Sequence, residues 1–134
     1  MTGELILVVE DEGLIALHLT EMLEEASYRV SGPVSAGETV LQEIGSSELP
    51  ALILMDIALA GKLDGIRTAQ QIRDRYPIPV IFLTAYSNQY QIDRAKEISS
   101  DGYLMKPVMH DELLKAIRNA LDRKGSTPHL APGS

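Results

Sequence analysis

The chain has 134 residues, 45% hydrophobic and 23% charged, a balance that fits one globular domain and excludes wholesale disorder. Twelve basic against nineteen acidic residues leave a net charge of −7, so the molecular field repels phosphate backbones and direct binding of nucleic acid is not expected. The absence of cysteine excludes disulfides, thiolate zinc sites and cysteine nucleophiles, and the first apolar stretch, Leu5 to Val9, is too short for a signal peptide or a spanning helix, so a soluble cytoplasmic protein is expected.

Two periods alternate along the chain. Leu5–Val9 is a continuous apolar run, the pattern of a parallel strand covered on both faces. From Leu14 to Ala26 the spacing becomes helical, with Ile15, Leu19, Met22 and Ala26 on one stripe. Tyr28 to Val34 reads as a second strand. Ser35-Ala36-Gly37-Glu38 reads as a capping box before a helix carrying Val40, Leu41 and Ile44, stopped by Gly45-Ser46-Ser47. Leu52 to Met55 is a third strand ending at Asp56, followed by a loop of small residues containing Gly61 and Gly65.

Asp64 is the expected N-cap of a third helix bearing Ile66, Ala69, Ile72 and Tyr76, which Pro77-Ile78-Pro79 ends. Val80 to Leu83 is the fourth strand. A weaker helix over Asn88 to Ile98 turns Ile92, Ala95 and Ile98 inward. Gly102 to Met105 is a short fifth strand. A last helix from Asp111 to Asp122 has Leu113, Leu114, Ile117 and Leu121 on its apolar side. The alternation predicts a (βα)5 chain with right-handed crossovers and helices on both faces of a parallel sheet. Residues 4–123 form one domain in this reading, and 124–134 form a flexible C-terminal tail.

Open parallel sheets bind ligands beyond the carboxyl ends of their strands. Strand one ends in Glu10-Asp11-Glu12, strand three in Asp56, strand four in Thr84-Ala85 and strand five in Lys106-Pro107. Carboxylates roughly 4 Å apart repel by about 4 kcal/mol per pair at an effective dielectric near 20. One must therefore stay protonated, or a cation must sit among them. Oxygen ligands without histidine or cysteine favour Mg²⁺. Lys106 offers a compact positive charge for phosphoryl oxygens, Thr84 a hydroxyl donor, and Asp56 a carboxylate able to attack phosphorus.

With these strand ends in place, the chain resembles the response-regulator receiver domains of two-component signalling. The motifs are Leu7-Val8-Val9-Glu10-Asp11-Glu12, Leu54-Met55-Asp56, Asp64-Gly65, Leu83-Thr84-Ala85 and Tyr103-Leu104-Met105-Lys106-Pro107. The resemblance runs from about Leu5 to Leu121. It implies a flavodoxin-like, doubly wound five-stranded parallel sheet of order 2-1-3-4-5. It also implies that Asp56 accepts a phosphoryl group from a sensor histidine kinase or phosphotransfer protein. Asp11, Glu10, Asp56 and the backbone carbonyl of Ala58 would hold Mg²⁺. Thr84, Ala85 and Lys106 would bind the phosphoryl group, with Pro107 structural and a cis Lys106–Pro107 peptide. Thr84 and Tyr103 would switch together and remodel the surface of helix four, strand five and helix five for a downstream protein target. The same surface is a candidate for dimerisation. Only slow self-phosphorylation and self-dephosphorylation are implied, not turnover as an enzyme.

Two departures from the family pattern stand out. The stretch Ala58 to Leu63 lacks the proline often found there and is one residue longer than the commonest form, and Glu10 stands where aspartate is more frequent. Ala58 and Tyr86 would flank the site and influence hydrolysis. Two other classes fit less well. An aspartate-nucleophile phosphatase wants a second aspartate where Ala58 stands. A nucleotide-binding flavodoxin-like domain wants a glycine-rich loop where Glu10-Asp11-Glu12 stands. Plain packing is the second reading of Tyr103, Tyr90 reads as a partner contact or a cover, and the scattered His18, His110 and His129 are not expected to form a metal site.

Overall fold

The computed structural model describes residues 3–46, 48–59, 64–85, 89–98 and 102–130. Five strands alternate with five helices: β1 (Leu5–Val9), α1 (Gly13–Glu25), β2 (Arg29–Val34), α2 (Gly37–Ser46), β3 (Leu52–Asp56), α3 (Gly65–Arg75), β4 (Val80–Thr84), α4 (Gln89–Ile98), β5 (Tyr103–Met105) and α5 (His110–Leu130). All pairings are parallel, in the order β2-β1-β3-β4-β5. The expected doubly wound sheet is present. No helix among the described residues is long and apolar enough to cross a membrane.

The unbroken apolar runs of β1, β3 and β4 follow from coverage on both faces. Successive side chains point to opposite sides of a strand. Ile6 and Val8 accordingly join Leu52, Leu54, Ile81 and Leu83 under α1 and α5, where Leu19, Leu23, Leu113 and Ile117 meet them. Leu7 and Val9 join Ile53, Met55, Val80 and Phe82 under α2, α3 and α4, against Val40, Ile44, Ile66, Ala69, Ile72 and Ala95. Each fully buried aliphatic side chain stabilises the fold by roughly 1.5–3 kcal/mol relative to exposure. Two separate cores thus hold one rigid sheet whose carboxyl edge carries the polar residues.

Beyond shifts of a residue at several element ends, the structure departs from expectation in α1, β2 and α5. On α1 the deepest residues are Ala16, Leu19, Met22 and Leu23, while Ile15 is half-buried against the same core and Leu14 and Leu17 face solvent. An arc of helix contacts the sheet, not a single line of the 3.6 period. The edge strand β2 breaks the regular ladder between Leu7 and Val9, at a cis Gly32–Pro33 peptide. Gly32 has φ +91°, and a β-carbon there would lie 2.7 Å from the Val8 carbonyl oxygen, so glycine is required. Finally, α5 continues to Leu130, past Asp122 where the apolar period ends. The apolar period therefore marked only the first part of α5 and not where the helix stops. Of the stretches singled out from the sequence, 60–63 (with Gly61), 86–88 (with Tyr86) and 131–134 lie outside the described residues.

Asp64 caps α3 as expected. Its Oδ1 accepts from the Arg67 amide at 2.8 Å, and its carbonyl accepts from the Thr68 hydroxyl at 2.7 Å. Replacing Asp64 by alanine should lower the stability of the fold by about 1 kcal/mol, read as a reduced urea midpoint with an unchanged slope.

Candidate functional site

The parallel register brings the ends of β1, β3, β4 and β5 to one edge. The Glu10 amide donates to the Val34 carbonyl at 2.9 Å, fixing the residue just past β1. Asp56 closes β3 opposite Leu83 of β4, and the Lys106 amide donates to the Thr84 carbonyl at 2.9 Å, tying the end of β5 to that of β4. These backbone bonds deliver the side chains. Glu10 and Asp56 are only 2% and 3% exposed, although each carries a carboxyl group.

Lys106 lies between the two acids. Its Nζ is 3.1 Å from Glu10 Oε1 and 3.3 Å from Asp56 Oδ1. Asp56 Oδ1 also accepts from the Ala58 amide at 3.1 Å, and Glu10 Oε2 from the Glu12 amide at 3.2 Å. Thr84 is buried, and its hydroxyl donates to the Ala85 carbonyl at 3.1 Å. The Lys106–Pro107 peptide is cis. Tyr103 is half-buried against the core on the α2–α3–α4 side, with Lys96 Nζ 5.5 Å from its ring centroid, a cation–π distance.

The electrostatics follow from burial. Loss of solvent, and then the Asp56 charge, push the Glu10 carboxyl up to about 7, against the opposing pull of Lys106 and the Glu12 amide. Burial alone would lower the Lys106 ammonium, but Asp56 and Glu10 outweigh it and hold the group above its ordinary value. Repulsion among the acids is therefore relieved twice, by an internal ammonium and by a carboxyl that is readily protonated.

The site fits a hard divalent cation. Glu10, Asp11 and Asp56 each offer a carboxylate oxygen, and these atoms lie within 4.8 Å of one another. Glu10 Oε1 is buried, with Lys106 Nζ 3.1 Å away as its charge partner. Among the described residues no histidine belongs to such a group; His18 is exposed, and His110 Nδ1 lies 3.4 Å from Asp111 Oδ1.

Glu10, Asp11, Asp56, Thr84, Ala85 and Lys106 thus share one strand edge, with Ala58 beside Asp56 and Tyr103 one strand over. The ion pair from Lys106 to Glu10 was not foreseen, and only the lysine at the end of the fifth strand hinted at it. The amide of Glu12 as a donor to Glu10 carried no sequence signal at all.

The family profile for the response regulator receiver domain matches residues 6–118. A transcriptional regulatory protein, PdtaR, of Mycobacterium tuberculosis is 34% identical over 118 residues, covering 88% of this chain and 57% of its own. A probable transcriptional regulator, ycf27, of Porphyridium aerugineum is 33% identical, covering 100% of this chain and 55% of its own. The chain therefore spans a little over half the length of these curated relatives. Among solved structures, the signal receiver domain of a modulated diguanylate cyclase from Desulfovibrio desulfuricans is 35% identical, with a TM-score of 0.85 over 92% of this chain and 97% of its own. The receiver domain of a sensor histidine kinase from Pseudomonas aeruginosa, solved with a magnesium ion coordinated in its active site cleft, is 28% identical, with a TM-score of 0.79 over 90% of this chain and 98% of its own.

The raised Glu10 carboxyl has a measurable consequence. Between the ordinary value of 4.5 and about 7 the metal-free folded protein holds a proton that the unfolded chain has released. Its contribution is full below 4.5, declines as pH rises through about 7, and is absent above. Denaturation at a series of pH values without metal should show stability falling over this window by on the order of 3 kcal/mol, and Glu10→Gln should flatten the slope. Asp56→Asn should move the Glu10 carboxyl back toward its ordinary value, as followed by carboxyl NMR.

Proposed function

The chain belongs to the response regulator receiver domain family, and from that premise we propose that it is a phosphoacceptor switch with Asp56 as the acceptor. The observation that carries the reading is the convergence of Glu10 and Asp56, from different strands, on the single ammonium of Lys106. A buried carboxylate next to a fixed lysine is a nucleophile with its electrophile's counter-charge already in position. An Asp56 oxygen attacks phosphorus of a phosphohistidine on a sensor kinase or phosphotransfer protein. The P–N bond breaks as the acyl phosphate forms, and the imidazole nitrogen keeps the electron pair and takes a proton.

Glu10, Asp11, Asp56 and the Ala58 carbonyl would hold Mg²⁺, which when bound offsets the carboxylate charge and that of the incoming phosphoryl oxygens. Lys106 is released from its carboxylate partners as that charge is met and turns to a phosphoryl oxygen. The Thr84 hydroxyl and the Ala85 amide supply the remaining donors. Thr84 gives up its local bond to the Ala85 carbonyl when it does so. Tyr103, one strand away, then follows the space that Thr84 leaves, and Pro107 holds the lysine's loop.

The output surface is formed by α4, β5 and α5. Tyr90 is exposed there, and a groove of about 640 Å³ runs between β5 and α5 along Tyr103, Met105 and Ala116. Its ligand in this reading is a downstream protein or a second copy of the chain, not nucleic acid, and the location is cytoplasmic. The switch turns over slowly, by hydrolysis of its own acyl phosphate.

Incubation with acetyl phosphate and millimolar Mg²⁺ should add one phosphate to the intact mass of the wild type and none to Asp56→Asn. Rapid multiple turnover of a small phosphomonoester would overturn the switch in favour of a phosphatase. Mg²⁺ should also raise the thermal midpoint of the wild type by mass action, and Asp11→Ala should lose that rise.

A further inference from the structure

Gly65, the first residue of α3, is buried directly against the peptide that follows Asp56. A β-carbon at Gly65 would lie 2.9 Å from both the Asp56 carbonyl carbon and the Ile57 α-carbon, and would overlap the Asp56 carbonyl oxygen. No real side chain occupies such a position. The backbone does not otherwise ask for glycine here, because the described glycines with positive φ are Gly3, Gly32 and Gly102. Helix propensity disfavours it too. The bare α-carbon serves the contact alone.

That contact is one jaw of a clamp. The Gly65 amide donates to the Ile57 carbonyl at 3.0 Å, and on the other side the Ile57 amide donates to the Leu83 carbonyl of β4 at 2.9 Å. Behind Gly65, Ile66, Ala69 and Ile72 are fully buried in the same core as Ile57, so the helix cannot back away without opening that core. The Asp56 carboxylate thus projects from a peptide held by α3 and β4 together, and its Oδ1 meets the Ala58 amide and Lys106 from that fixed base.

We infer that Gly65 is a positioning residue for Asp56: by lacking a side chain it seats the first turn of α3 on the Asp56–Ile57 peptide and so sets where the carboxylate points. The inference rests on the reading of Asp56 as acceptor but is tested apart from it. Gly65→Ala must displace either α3 or the Asp56 peptide by an amount comparable to an ångström, and misplacement on that scale costs a reaction up to about 100-fold.

The test compares Gly65→Ala with Leu23→Ala, a fully buried residue of the opposite core, at a temperature where circular dichroism shows both folded. Initial rates of phosphoryl uptake from acetyl phosphate should fall about 10- to 100-fold in Gly65→Ala and stay near wild type in Leu23→Ala. The Ala58 amide proton, bonded to the Asp56 carboxylate, should shift in the NMR spectrum of Gly65→Ala and not of Leu23→Ala. Equal rates and an unmoved Ala58 signal in Gly65→Ala would overturn the inference. A wild type that takes no phosphate would instead overturn the acceptor assignment, and the Ala58 signal would still decide the positioning role. Should Gly65→Ala not fold, amide exchange in the wild type decides: slow exchange at Gly65 supports the clamp, and exchange at the rate of a frayed helix end overturns it.

Discussion

Two carboxylates held out of water beside a single ammonium are the constraint around which this molecule is organised. Glu10 and Asp56 come from strands that are neighbours in the sheet but far apart in the chain, and Lys106 reaches both from the far edge. Each group would be costly to bury alone. Together they balance only in part, two acids against one base with Asp11 nearby, and the surplus of negative charge is what gives the site an appetite for a cation or a proton. A structure-stabilising ion pair would close its charge account; this one stays open.

The fold meets that constraint through its backbone, not through the side chains themselves. Amides of Glu10, Ile57 and Lys106 donate to Val34, Leu83 and Thr84, so each residue just beyond a strand is still tethered to the neighbouring element. The two apolar cores make this edge stiff. Polar groups can then be left imperfectly satisfied at the rim, because the hydrophobic layers on either side carry the stability.

Much of this was legible in the chain. Apolar runs such as Leu5–Val9 and Leu52–Met55 announce buried parallel strands, because no amphipathic surface strand would look so uniform, and the acids and lysine that stop those runs must sit at the sheet's carboxyl edge. Asp64 was legible as a cap by its place before an apolar period. What could not be read was anything set by distance across the fold. The contact of Gly65 with Asp56 depends on how closely a helix approaches a strand, and the irregular β2 depends on what Val8 presents to Gly32. The length of α5 escaped for the opposite reason, since the apolar period that announces the helix ends at about Asp122.

The sheet also works as a bulkhead. Tyr103 and Ala95 belong to the layer that contains α2, α3 and α4, whereas Leu113, Ile117 and Ala120 of α5 belong to the layer shared with α1. Among the described residues the two buried clusters share no member, and the sheet lies between them. A change in the packing of α4 would therefore reach α5 only by way of the sheet, with β5 as the partition between them.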